Sequence, residues 1–185
     1  LANEDTLTAL SDALSASAQM DWKAAPPQAS GSTRAIVNPG DHNDLVGFVS
    51  EPSEEDVTAA LKAAAQSTWP QTSIEQRAAY LEKAADLMQA KLPVLLGLIM
   101  REAGKSAPNA IAEVREAIDF LRYYAQEARR MFGPDQQALG PVVCISPWNF
   151  PLAIFIGQVA AALVAGNPVL AKPAEETPLI AAEGV

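Results

Sequence analysis

Two short stretches near the end of the chain contain candidate catalytic and ligand-binding residues. The first is ISPWNFPLAIF, residues 145–155, in which Asn149 is the one side-chain amide among apolar residues. An amide in apolar surroundings must be hydrogen-bonded by the fold or by a ligand, or it costs about 1–3 kcal/mol. The second stretch places a cation and an anion three residues apart, at Lys172 and Glu175. Both stretches are therefore candidate ligand contacts.

The predicted strands and helices that carry these residues begin at Gly140. GPVVCIS is typical of a buried strand, and PLAIFIGQVAAALVAG predicts a helix with Pro151 at its start. NPVLAKP predicts a second strand, and Pro178 begins another helix. Strand, helix, strand and helix at this spacing predict a βαβ unit of a parallel sheet. No charge occurs between Asp135 and Lys172, which we expect of elements covered on both faces.

In an open parallel sheet, ligands bind beyond the carboxyl ends of the strands. We expect residues 146–149 and 172–175 to lie near one another at one such edge. Each residue also has a purely structural interpretation: Asn149 as a cap of the following helix, Lys172 as a surface lysine, and Glu175 as an anion at a helix N-terminus. Cys144 lies inside the first strand with no histidine nearby, so a buried hydrophobic role is favoured over that of a nucleophile.

Composition and charge exclude several classes of protein. The chain has 185 residues, of which 49% are hydrophobic and 19% charged, a globular balance rather than a disordered one. A net charge of −9 argues against nucleic acid or an anionic membrane as the main partner. One cysteine and one histidine exclude a disulfide framework and a Cys/His metal cluster, and fit a cytoplasmic location. Residues 166–168 interrupt the longest apolar run, so no membrane span is expected.

The upstream part predicts a helix over residues 5–20, a linker at KAAPPQASGS and a small hairpin around an Asn-Pro-Gly turn. Helices follow up to Met131, with capping patterns at residues 53–56 and 73–76 and a stop at Gly104. The helix near residues 109–131 carries an apolar stripe whose charged neighbours need not all face water. The stripe consists of Ile111, Val114, Ile118, Leu121, Ala125 and Ala128. We divide the chain into an N-terminal helix and linker (1–33), a helical lead-in (34–139) and the βαβ region (140–185).

Both ends of the sequence look cut. The chain does not begin with Met, has no signal peptide, and stops inside an apparent new helix. We therefore expect a fragment of a longer protein.

The paired motifs closely resemble the aldehyde dehydrogenase superfamily. SPWNFPLAIF is similar to the P-W-N-F-P turn of that family, and AKPAEETPLIAA is similar to its K-P-x-E-x-T-P turn. The stretches around residues 38–88 and REAGKS resemble the helical lead-in of the family, so the resemblance extends from about Arg34 onward. It implies an α/β fold in which the lead-in and hairpin precede the first βαβ unit of a Rossmann-like NAD-binding domain.

The resemblance also implies site roles. A cysteine thiolate attacks the aldehyde carbon, the asparagine of P-W-N-F donates to the resulting oxyanion, and NAD takes the hydride. Asn149 matches that asparagine and is the implied catalytic residue. Phe150 would line the aldehyde tunnel, and the nicotinamide-ribose side would be lined by Ile145, Ser146, Pro147, Trp148 and Asn149. Lys172 and Glu175 match the pair that binds the adenosine ribose, which both can reach if Pro173 and Ala174 form a tight turn.

The nucleophile and the general-base glutamate of the family would lie beyond Val185, so the chain alone should not catalyse.

Within the family, the sequence most resembles the L-glutamate γ-semialdehyde dehydrogenases of proline catabolism, including bifunctional ones. FAD would be a second cofactor only if a proline dehydrogenase domain precedes residue 1. A small-molecule aldehyde is the expected partner, in a homo-oligomeric full-length protein. Two alternatives stay open: a dehydrogenase for another aldehyde such as succinate semialdehyde, and a non-catalytic scaffold or interaction module.

Overall fold

The computed structural model describes residues 3–27, 29–133 and 135–185. Along the chain, an N-terminal helix is followed by a small sheet, a set of helices and a βαβ unit. In chain order they are α1 (Glu4–Ser17), β1 (Trp22–Ala24), β2 (Thr33–Asn38), β3 (Asp41–Ser50), α2 (Glu54–Ala65), α3 (Ile74–Ala90), α4 (Leu92–Ala103), α5 (Ala107–Met131), β4 (Val142–Ile145), α6 (Ala153–Val164), β5 (Val169–Lys172) and α7 (Pro178–Glu183).

The helix boundaries of the lead-in follow local capping signals. Ser53 and Asp56 form a reciprocal capping box at the start of α2, and the Ser73 hydroxyl accepts from the Gln76 N–H at the start of α3. Gly104 follows the last residue of α4 with φ 64°, the left-handed conformation that glycine adopts without strain. All three predicted signals are confirmed.

The hairpin is part of a three-stranded sheet with the order β1-β3-β2. β2 and β3 pair antiparallel as predicted, whereas β1 pairs parallel with β3 and lies partly in the stretch that we interpreted as a linker. A three-residue strand is too short to show a periodicity. Gly47 lies opposite Trp22, and a Cβ at this glycine would be 2.2 Å from the Trp22 carbonyl oxygen. The close approach of β1 therefore requires glycine at that position.

The main core forms where α3, α4, α5 and α6 pack together. On α5 the predicted stripe faces this core: every member is buried except Ile111, which is partly buried. α1 packs against α4, and α7 lies against α4 and β1. The packing places α5, from the lead-in, directly against the helix of the βαβ unit.

The predicted βαβ unit is present, with β4 and β5 pairing parallel and α6 connecting them. Two details differ from the expectation. α6 begins at Ala153 rather than at Pro151. The described residues also do not cover β4 on both faces, because Val143 is 55% exposed and Ile145 64%, whereas Cys144 is 5% exposed. One face of β4 is buried against this chain and the other is open.

Across the described ranges, no helix is both long and apolar enough to cross a bilayer. In the same ranges, no group of three His, Cys, Asp or Glu side chains is placed to hold a metal ion.

Candidate active site at the carboxyl edge of the parallel strands

The two polar turns leave neighbouring strands at the same edge of the sheet. Ile145 pairs with Lys172 at the ends of β4 and β5, and the Ser146 N–H donates to the Lys172 carbonyl oxygen at 3.1 Å. The turn of residues 146–150 therefore starts beside the turn of residues 173–177. This is the edge at which open parallel sheets bind ligands.

Asn149 is exposed in the first of these turns. It does not cap α6, since that helix begins four residues later at Ala153, so the capping interpretation is wrong. Its amide is not desolvated by the fold, and none of the described residues forms a hydrogen bond with it. The amide is thus free to donate to a ligand.

The neighbours of Asn149 divide into a buried residue and an exposed aromatic pair. Ser146 is 6% exposed, and its hydroxyl lies 3.4 Å from Oε1 of Gln158 on α6, so its side chain faces the fold. Pro147 is half-buried. Trp148 and Phe150 are 59% and 41% exposed, on either side of the amide. The turn therefore presents an amide donor whose two neighbours in sequence are exposed aromatic residues.

The second turn presents one cation and one anion. The side chains of Lys172 and Glu175 are both exposed, and the Lys172 ammonium donates to the Pro173 carbonyl at 3.1 Å. The hydrogen-bonded turn is closed by the Thr177 N–H and the Ala174 carbonyl at 3.2 Å. It is thus centred on Glu175 and Glu176, two residues later than the expected turn at Pro173 and Ala174.

Arg34 holds the second turn from the small sheet, a contact that the sequence analysis missed. Its Nη2 donates to the backbone carbonyl of Glu175 at 2.8 Å and also pairs with the Glu51 carboxylate at 3.1 Å. Because Arg34 uses the carbonyl, the Glu175 carboxylate stays available to a ligand.

Glu113 of α5 is a second residue that the sequence analysis did not single out. It is 1% exposed, and its Oε2 accepts from the N–H groups of Leu152 at 3.2 Å and Ala153 at 3.0 Å. Lys105 lies 2.8 Å from Oε1, and its ammonium is 4.4 Å from the centre of the Phe150 ring. The available signal was the position of Glu113 directly before Val114 of the apolar stripe and three residues after Ala110, on the side of α5 that the structure buries.

Glu102 of α4 likewise accepts hydrogen bonds from backbone N–H groups, in this case at the start of α7. It is 3% exposed and accepts from the N–H groups of Leu179 and Ile180 at 2.7 Å each. Burial raises the pKa of Glu102 from 4.5 to about 7, although the two N–H donors act in the opposite direction. Since Glu102 satisfies this helix N-terminus, Glu175 is not required there as a dipole partner.

Cys144 is buried within β4, as predicted. Burial raises the pKa of its thiol, which disfavours the nucleophilic thiolate. Its position does not support a role in covalent catalysis.

Several known proteins resemble this chain in sequence and in fold. Residues 26–184 match the aldehyde dehydrogenase family. The bifunctional protein PutA of Rhizobium meliloti is 62% identical over 189 residues, covering 100% of this chain and 15% of that protein. The alpha-ketoglutaric semialdehyde dehydrogenase of Bacillus subtilis is 41% identical over 169 residues, covering 83% of this chain and 35% of that protein.

The structure of a 1-pyrroline-5-carboxylate dehydrogenase from Thermus with bound NAD superposes on the chain with a TM-score of 0.90. The two are 30% identical, and the match covers 100% of this chain and 40% of the other. The chain thus spans well under half the length of each of these relatives. By its motifs, fold and relatives, the chain belongs to the aldehyde dehydrogenase family.

Proposed function

We propose that this chain supplies the oxyanion donor and part of the dinucleotide site of an NAD-dependent aldehyde dehydrogenase that oxidises L-glutamate γ-semialdehyde to glutamate. The observation that carries the proposal is the exposed amide of Asn149 at the carboxyl edge of β4. It has no hydrogen-bond partner among the described residues, and its sequence neighbours Trp148 and Phe150 are exposed aromatic residues.

Asn149 would act on the charge that develops during acyl chemistry. When a thiolate adds to an aldehyde, the carbonyl oxygen becomes an anion, and a preorganised amide N–H stabilises it more than the neutral carbonyl. The thiolate must come from outside these residues, because the chain has one cysteine and Cys144 is buried. Phe150 would line the path of the aldehyde beside this donor.

The second turn fits the ribose of a dinucleotide. An ammonium at Lys172 can donate to one hydroxyl, and a carboxylate at Glu175 can accept from another, which suits a diol rather than a phosphate monoester. Both side chains are exposed at the required edge. NAD, when bound, supplies the hydride acceptor. Ile145, Ser146, Pro147 and Trp148 would form the nicotinamide-ribose side, with Ser146 contributing through its backbone.

The choice of substrate is supported by the relatives. The PutA protein at 62% identity and the 1-pyrroline-5-carboxylate dehydrogenase fold favour glutamate semialdehyde, which cyclises to that pyrroline by condensation of its amine and aldehyde. The 41% identical alpha-ketoglutaric semialdehyde dehydrogenase supports alpha-ketoglutaric semialdehyde as a second candidate substrate. We also propose that the full-length protein is a cytoplasmic homo-oligomer. FAD would be a further cofactor if a proline dehydrogenase domain precedes this segment.

The proposal is tested with the full-length parent protein. We expect NADH formation, with kcat/KM highest for glutamate semialdehyde and at least about tenfold lower for alpha-ketoglutaric and succinate semialdehydes, a difference of about 1.4 kcal/mol in transition-state binding. The 185-residue chain is the negative control and should be inactive. A higher kcat/KM for another semialdehyde would show that glutamate semialdehyde is not the preferred substrate. If none of these aldehydes gives NADH, a non-catalytic module is favoured.

A further inference from the structure

Lys105 and Glu113 contact the polypeptide on the C-terminal side of Asn149. We propose that these two residues are positioning residues for Asn149, acting through the backbone and the aromatic ring that follow it. The inference rests on the proposed function, since it assigns a role in holding the oxyanion donor.

Glu113 holds the chain where the Asn149 turn enters α6. Its carboxylate accepts from the N–H groups of Leu152 and Ala153, at 3.2 and 3.0 Å. Leu152 lies at the N-cap of α6 and has no side-chain oxygen to cap the helix itself. A carboxylate from another helix replaces the missing cap and matches the positive end of the helix dipole. The chain direction three residues after Asn149 is thereby set by Glu113.

Lys105 connects this carboxylate to the residue next to Asn149. Its ammonium lies 2.8 Å from Glu113 Oε1 and 4.4 Å from the centre of the Phe150 ring, within the range of a cation–π interaction. The Lys105 side chain is 16% exposed, so water screens these contacts only in part. One cation therefore holds both the Phe150 ring and the carboxylate that orients Leu152.

The turn is anchored on both sides of an exposed donor. On the N-terminal side, the Ser146 N–H donates to the Lys172 carbonyl at 3.1 Å. On the C-terminal side, the anchors are Lys105 and Glu113. Because no described residue bonds to the Asn149 amide, the amide's direction depends on these backbone and ring anchors. A shift of about 1 Å in a catalytic group can lower a rate by up to about 10².

A double-mutant cycle in the full-length parent enzyme tests the inference. The variants are Glu113→Gln, Asn149→Ala and their combination. The two readouts are the single-turnover rate of NADH formation and the steady-state KM for NAD. We expect Glu113→Gln to lower the rate about tenfold alone, because the neutral amide loses the ion pair with Lys105. In the Asn149→Ala background it should lower the rate less than about twofold, since there is no donor left to misplace. KM for NAD should change less than about twofold in either case.

Two further variants keep the result independent of folding defects. Lys105→Met combined with Glu113→Gln removes both charges together, so no buried charge loses its partner, and it is carried through the same cycle. Lys105→Arg keeps the cation and should retain most of the rate. The matched control is Glu116→Gln, an exposed glutamate on the same helix, which should leave both rates unchanged. Thermal unfolding midpoints are recorded for every variant.

The outcomes separate this inference from the proposed function. An equal loss from Glu113→Gln in both backgrounds, or no loss in the native background, overturns the positioning role and leaves the function of Asn149 intact. A normal rate in Asn149→Ala would show that Asn149 is not the oxyanion donor, which contradicts both proposals. Non-additive losses with retained unfolding midpoints support the positioning role.

Discussion

Arg77 on α3 donates from Nε to the carbonyl oxygen of Val164, the last residue of α6, at 2.9 Å. It is 7% exposed, and its Nη1 donates to the Thr72 carbonyl. The indole N–H of Trp69 donates to the neighbouring carbonyl of Leu163 at 2.9 Å. α6 thus has a cation at its C-terminal end and the Glu113 carboxylate at its N-terminal end, as the helix dipole favours. Both come from the helical lead-in.

Replacing Arg77 with Met should weaken α6 selectively. The Val164 carbonyl at the end of α6 would lose its Arg77 donor, at a cost to α6 of about 1–3 kcal/mol. The measurement is native-state hydrogen exchange of α6 amides in the parent enzyme, where the opening free energy should fall by this amount. Arg115→Met, at an exposed position on α5, is the control and should change it by less than about 0.5 kcal/mol. Unchanged α6 protection in Arg77→Met would contradict the anchoring role.

Glu102 should make stability depend on pH between about 4.5 and 7. Its pKa is raised to about 7 in the folded chain, so folding favours the protonated form. The stabilisation is fully present below pH 4.5 and is lost as the pH rises through 7, a change of about 3 kcal/mol. Glu102→Gln stays neutral, so relative to wild type it should be more stable at pH 8 than at pH 5.

The measurement is the unfolding midpoint of parent enzyme and variant across this pH range. Glu55→Gln, an exposed glutamate on α2, is the control and should leave the pH profile of the parent unchanged. A constant difference between Glu102→Gln and wild type from pH 5 to 8 would show that Glu102 does not titrate there.

Asn149→Ala in the full-length enzyme should lower kcat by at least about 10² while the affinity for NAD changes little. Loss of one oxyanion donor acts on the transition state and not on the bound cofactor. The exposed amide also predicts that the variant folds normally, because no intramolecular hydrogen bond to the described residues is lost. Steady-state kinetics and NAD titration check this, and a normal kcat would rule out the assigned role.

Glu175→Gln should relax the preference for NAD. The carboxylate would repel the 2′-phosphate of NADP, whereas Gln removes the charge and keeps a hydrogen-bonding group. The NAD-to-NADP ratio of kcat/KM should fall about tenfold or more. The guanidinium of Arg34, which bonds to the backbone of this residue, should assist the gain for NADP. Glu176→Gln is the neighbouring control, and an unchanged ratio in Glu175→Gln would mean that Glu175 does not contact the ribose.

Several elements could be predicted because their signals in the sequence are local. The caps at Ser53 and Ser73 and the left-handed Gly104 each depend on residues within one helical turn. The parallel pairing of β4 and β5 followed from the spacing of strand, helix and strand, and this pairing brought the turns after Ile145 and Lys172 to one edge. The motif pair in these turns carried the family resemblance.

The contacts that hold those turns join residues far apart in sequence, so they could not be predicted. Glu113 is 39 residues from Leu152, Glu102 is 77 residues from Leu179, and Arg77 is 87 residues from Val164. Helical periodicity predicts which face of a helix is buried, but it does not predict which backbone group a charged residue on that face will meet. That depends on how the helices pack, since a buried charge is tolerated only where packing supplies its partner. Which faces of β4 are covered also depends on neighbouring elements, because an apolar run does not specify them.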